Sequence, residues 1–273
     1  MRHRLLPLLL CCAAFGKAQT TGEVRGKKVV EEAIDALGGD RFRNLRDRVE
    51  YGRGYSFYAS RLSGLSKATI STRYLIPPDP PVNGFLGIRE RQGFSNKKGQ
   101  EDWYVIFNEN GEGFEVTYRG AKKLPADTLK RWRDGVMHNA FYIMRMRLRE
   151  PGMIVESRGA DVVDNQPVEI VDFTDSGNRV TRVYFQRSTK LPVKQEYVRR
   201  DQGDRFEEVT IWSKYREVDG IMWPFVTRRE RDGEKIFEMF DESVEFNKDL
   251  TDDKFTLPAN IPILDEKTQA KEK

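Results

Sequence analysis

The chain is poor in the residues that most often advertise chemistry. Of 273 residues, two are cysteine and two are histidine. Cys11 and Cys12 are adjacent and lie in an apolar opening segment. The chain beyond them offers no disulfide, zinc–thiolate site or cysteine nucleophile. His3 lies in the same opening segment, which leaves His138. One histidine cannot supply a metal site, and its neighbour Asp134 adds only a second ligand at helical spacing. No Gly-x-Ser-x-Gly elbow accompanies it, so a hydrolase triad has no support. A phosphate loop and a dinucleotide fingerprint are also missing. His138 is therefore expected to be a surface or partly packed side chain.

Charge of one sign is missing as well. Arg2, Arg4 and Lys17 belong to the opening segment, and without them 47 basic residues become 44 against 43 acidic ones. The charges are interleaved, as in Arg228-Arg229-Glu230-Arg231-Asp232, and form no one-sided basic stripe. Nucleic acid is excluded as a partner on that ground. Adjacent carboxylates occur at Glu207-Glu208, Asp241-Glu242 and Asp252-Asp253. On strands such neighbours point to opposite faces, so they are expected to be solubilising charges rather than an acid–base pair.

No apolar run is long enough to span a bilayer, which takes about 20 residues. The apolar stretch Leu5–Phe15 follows Arg2 and Arg4 and precedes Gly16-Lys17-Ala18. That is the pattern of a secretory signal cleaved before Gln19. Residues 1–18 are read as the signal, 19–262 as a single domain, and 263–273 as a polar, disordered tail. A cysteine-free exported chain of this size suits a bacterial periplasm, because a large core can replace cross-links.

What is present is a β pattern. From Val168 to Pro258, segments rich in Val, Ile, Thr, Tyr, Phe and Trp alternate with turn signals. Those signals are Asp175-Ser176-Gly177-Asn178, Asp201-Gln202-Gly203-Asp204, Asp219-Gly220 and Asp232-Gly233. Earlier strands are expected over 48–59, 67–76, 85–94, 101–108 and 113–118, with a stiff loop at Pro77-Pro78-Asp79-Pro80-Pro81. Gly26–Leu37 reads as a helix stopped by Gly38-Gly39. Asp127–Arg149 reads as a second amphipathic helix, N-capped by Asp127 and about 34 Å long. Its apolar stripe carries Trp132, Val136, Ala140, Ile143 and Met144.

Four phrases recur in an order that resembles a known family. They are Ala36-Leu37-Gly38-Gly39, Lys190-Leu191-Pro192, the run Tyr215–Pro224, and the closing Leu250–Pro258. Together they resemble the LolA/LolB-like periplasmic lipoprotein carriers, closest to the outer-membrane lipoprotein-sorting branch. The proline-rich loop and the long helix depart from the dedicated carriers. The resemblance implies a mainly β (α+β) fold: a strongly curved antiparallel sheet forming an unclosed β-barrel, with helices covering the concave face. It also implies apolar cargo between sheet and helices.

The resulting expectation is a periplasmic carrier or binding protein for lipids or lipidated proteins. It would be monomeric, free of cofactor and metal, not an enzyme, and in transient contact with membranes. The alternative is an envelope protein–protein interaction module with a self-filled core. The side chains expected to line an apolar cavity are Trp103, Phe107, Trp132, Phe141, Met144, Phe185, Trp212, Trp223 and Phe225. Met144 suits a surface that adapts to varied chains.

Overall fold

The computed structural model describes residues 20–95, 101–201 and 203–264. The expected signal, its cleavage point and the tail from residue 265 lie outside the described residues.

The first helix, α1 (Thr21–Leu37), begins before the expected Gly26. A capping box starts it: the Glu23 amide donates to the Thr20 hydroxyl, and the Thr20 amide donates to the Glu23 carboxylate. α2 (Asp40–Arg43) follows. Then come six strands: β1 (Asp47–Tyr58), β2 (Arg61–Tyr74), β3 (Ile88–Ser95), β4 (Trp103–Phe107), β5 (Gly113–Thr117) and β6 (Gly120–Lys123). A helical crossing is followed by β7 (Ile154–Val163), β8 (Gln166–Thr174), β9 (Val180–Gln186), β10 (Pro192–Asp201), β11 (Asp204–Val218), β12 (Ile221–Arg231) and β13 (Glu234–Phe246).

All thirteen strands form one antiparallel sheet in the order β6-β5-β4-β3-β2-β1-β13-β12-β11-β10-β9-β8-β7. Two meanders, β1–β6 and β7–β13, are thus joined along a single seam where β1 pairs β13. The ends β6 and β7 do not pair with each other, so the barrel is unclosed. Ile263 makes an isolated parallel bridge to Ala121 on β6. Gly52 sits at a bulge in the seam, where a β-carbon would come 2.1 Å from the Phe240 carbonyl oxygen. Only glycine permits that approach.

The helices cover one face. Val30, Ala33, Ile34 and Leu37 of α1 and Phe42 of α2 join sheet residues such as Phe173, Val183, Val244 and Phe246 in the main core. The expected single helix over 127–149 is a broken one. α3 spans Ala126–Met137, α4 spans Ala140–Tyr142, and a π-helical turn covers Ile143–Arg147. His138 closes α3. Asn139 is extended, and its side-chain oxygen accepts the Tyr142 amide to start α4. The three- and four-residue apolar spacing runs through the break unaltered, which is why periodicity alone merges the pieces. The N-cap of α3 is Pro125, with Asp127 in the first turn.

Candidate functional site

α3 lies across the mouth of the half-barrel and is held at both flanks. On one flank Trp132 stacks on Phe107 of β4 at 4.9 Å, with rings 10° apart, and its indole N–H donates to Glu90. On the other, Lys130 donates to the carbonyl of Arg200 and Arg131 lies 4.0 Å from Asp201, both at the β10–β11 hairpin. Between those fastenings α3 contributes little to the core. Of its residues only Val136 and Met137 are buried. They join Leu86, Ile88, Tyr142 and Met146 in a small satellite cluster.

After the break the helical segment is firmly seated. Phe141, Ile143 and Met144 belong to the main core. Arg147 is buried and ties the break to the sheet. It donates to the Met137 carbonyl at 2.6 Å, to both oxygens of Glu150, and to Asp175 at 2.9 Å. Burial alone would raise the Asp175 carboxyl, but the Arg147 and Arg179 guanidiniums hold it down at about 2. His138 is buried, a correction to its expected surface or partly packed position. Its ring stacks on Tyr197 at 4.1 Å, and Nδ1 lies 2.7 Å from the Thr181 hydroxyl. Desolvation pushes its pKa down to about 4, so the ring is neutral near pH 7. A groove of about 670 Å³ runs beside it, lined by Asp134, Arg179, Arg182, Arg200 and Arg205 among others.

The nine sequence-predicted side chains divide into three groups. Phe141, Met144, Phe185, Trp212, Trp223 and Phe225 meet in the main core, with Phe141 edge-on to Trp212 at 5.0 Å. Phe107 and Trp132 form the clasp at the mouth. Trp103 stands apart, 38% exposed, stacked on Phe94 at 4.2 Å.

Sequence reasoning missed a row of charges on the inner face. Arg48 pairs with Glu50 at 2.9 Å and lies 4.6 Å from the Trp223 ring centre. Glu50 also accepts the Trp223 indole N–H at 2.8 Å. Glu90, two strands away, is raised by burial. Asp241 is buried, with one oxygen lacking a partner, and desolvation and the nearby Glu50 push it up to about 8. Glu208 is buried too, accepting from Arg199 and Arg231. The expectation that Glu207-Glu208 and Asp241-Glu242 serve only as solubilising charges therefore fails for one member of each pair. The signal was in the pattern: neighbours on a strand face opposite ways, so one of each pair must face the helices. Among the described residues no group of His, Cys, Asp and Glu is arranged to hold a metal. Among the described residues no helix is long and apolar enough to cross a membrane.

No family model matches the sequence, and no curated protein matches it. Solved structures do resemble the fold. A domain from Vibrio parahaemolyticus described as outer membrane lipoprotein-sorting superposes with a TM-score of 0.56 at 11% identity, covering 84% of this chain and 97% of its own. A DUF1329 family protein from Desulfovibrio piger gives 0.56 at 12%, covering 84% and 96%. A LolA superfamily protein from Nitrosomonas europaea gives 0.52 at 10%, covering 85% and 97%. By fold the chain is an unclosed β-barrel of helix-covered, antiparallel type. More narrowly, it has the LolA/LolB-like form of that barrel.

Proposed function

We propose that this protein is a periplasmic carrier or binding protein for lipids or lipidated proteins, with acyl chains held between the sheet and the helices. The observation that carries the reading is α3, a helix laid across the mouth and clasped at its flanks, with only its last two residues buried. The break at His138–Asn139 lets it lift while Phe141, Ile143 and Met144 stay in place. Phe141, Met144, Phe185, Trp212, Trp223 and Phe225 would then be the floor of the site, Phe107 and Trp132 its clasp, and Trp103 its outer lip. Lipoprotein sorting is the description attached to one neighbour in fold, and the expected signal agrees with an envelope location.

The energetics are adequate. Each buried methylene contributes about 0.8 kcal/mol, so one long acyl chain supplies on the order of 10 kcal/mol before ordering costs. No catalytic or cofactor step is part of the reading, and one protein holds one cargo as a monomer.

The test is native mass spectrometry of protein purified without detergent, followed by solvent extraction. About one extractable lipid per protein is expected. A bare mass, from protein that also refuses added fatty acid, would overturn the reading. The second reading is an envelope protein–protein module. It is favoured by the main core, which the chain's own side chains fill. Recovery of one stoichiometric protein partner free of lipid would support it.

A further inference from the structure

The β1–β2 hairpin is the least acidic part of the chain. From Tyr51 through Pro78 there is no aspartate or glutamate, in a protein with 43 acidic residues. The same stretch holds Arg53, Arg61, Lys67 and Arg73. Arg53 and Arg73 are paired with Glu242 and Asp252. Arg61 and Lys67 have no ion pair among the described residues.

The end of this hairpin stands clear of the sheet. Pairing of β1 with β13 runs out at Ser56–Phe237, and pairing of β2 with β3 begins only at Lys67–Ser95. Among the described residues, 57–63 therefore have only each other as strand neighbours, and 64–66 pair only with 54–56 of β1. Ala59 and Ser60 make the tight turn, both with positive φ. This tongue is apolar where a solvated tip would be polar. Tyr58 is 82% exposed, Leu62 59% and Leu65 55%. Phe57 lies opposite Leu62 and Tyr55 opposite Leu65 across the strands. Tyr55 continues the stripe edge-on to Phe240, which is 41% exposed, and Lys235 caps the Phe57 ring at 4.1 Å.

We infer that this tongue docks the protein on a bilayer carrying anionic headgroups. Two features select a bilayer over a protein partner. Phe57 and Tyr58 are adjacent on one strand and point to opposite faces, so each side of the tongue presents an aromatic ring. A tip inserted at a headgroup boundary is surrounded on both sides, whereas a flat protein contact covers one. Aromatic and leucine side chains at the tip, with Arg61 and Lys67 beside them and the nearest acid, Glu238 opposite Tyr55, held by Lys235, match an interface with anionic lipid. The inference goes beyond the carrier reading: it concerns where the protein lands, not what it holds.

The test is cosedimentation of the purified protein with phosphatidylcholine vesicles, with and without phosphatidylglycerol. Wild type is expected to bind the anionic vesicles and to release them as salt rises. Leu62→Asp combined with Leu65→Asp is expected to lower the bound fraction on the order of tenfold, with an unchanged unfolding midpoint. Arg61→Glu with Lys67→Glu should remove only the part that depends on phosphatidylglycerol. Wild type that ignores both vesicles, or an apolar variant that binds equally well, would overturn the inference. Uptake of a fluorescent fatty acid from solution is measured on the same proteins. Vesicle binding without uptake would sink the carrier reading and leave the docking surface standing.

Discussion

Asp241 is the residue where the inner face is most out of balance. It is buried, one oxygen is unpartnered, and Glu50 is close. Its folded pKa of about 8 lies above the usual value, so the folded protein binds a proton that the unfolded chain releases. That contribution is full below the ordinary carboxylate range and is lost as pH rises from there through about 8. Asp241→Asn removes the dependence. In urea unfolding the variant is expected to gain on wild type between about pH 5 and pH 8. Equal pH slopes for the two proteins would show that the carboxyl stays charged. Asp175 has the opposite sign. Its depressed pKa stabilises the fold at neutral pH, and that contribution goes only as pH falls toward about 2. Composition could not separate these two aspartates, because both occur beside turn or charge signals. Burial and the nearest guanidinium decide.

At the scale of elements, α3 is defined by how few of its contacts are buried. Trp132→Ala deletes the stack on Phe107 and the bond to Glu90. A stability loss of about 2 kcal/mol is expected, below a full core truncation because the ring is only partly buried. Amide exchange should quicken over Ala126–Met137 and not over α4, and fatty-acid uptake should accelerate. Uniform exchange across both helices would mean that α3 and α4 move as one body. Asn139→Ala tests the break itself. Loss of the cap to Tyr142 should cost about 1 kcal/mol.

Strand existence was largely legible at this scale, since β-branched and aromatic runs bounded by Asp-Gly steps became β8 to β13. The stretch 61–66 of β2 was not, because Ser, Gly and Leu give no strand signal and Ala59-Ser60 is an unmarked turn. β6 was missed because four residues are too few for a period.

For the whole molecule, the resemblance read from four short phrases agrees with a sheet whose two meanders meet at one seam. The mouth was not legible, because its clasp brings together residues 90, 107 and 132, and its other flank 130 and 200. No local pattern reports such distances. The seam should be the structural weak point. Gly52→Val puts side-chain atoms into the Phe240 carbonyl and should cost about 3 kcal/mol, more than the same change at Gly64, where a β-carbon would meet only the Ser56 side chain at 3.7 Å. Equal midpoints for the two variants in thermal unfolding would contradict that.

The seam also imposes an order of events on a chain that emerges from its N-terminus. β1 is among the first strands to appear, and its partner β13 is the last strand of the sheet. Until residue 246 is out, the first meander carries an unpaired flank at β1, and its long-range closure must wait. That interval is when stray strand pairing is most dangerous. A holding chaperone should therefore raise the yield of folded protein most when it acts before the final strand emerges.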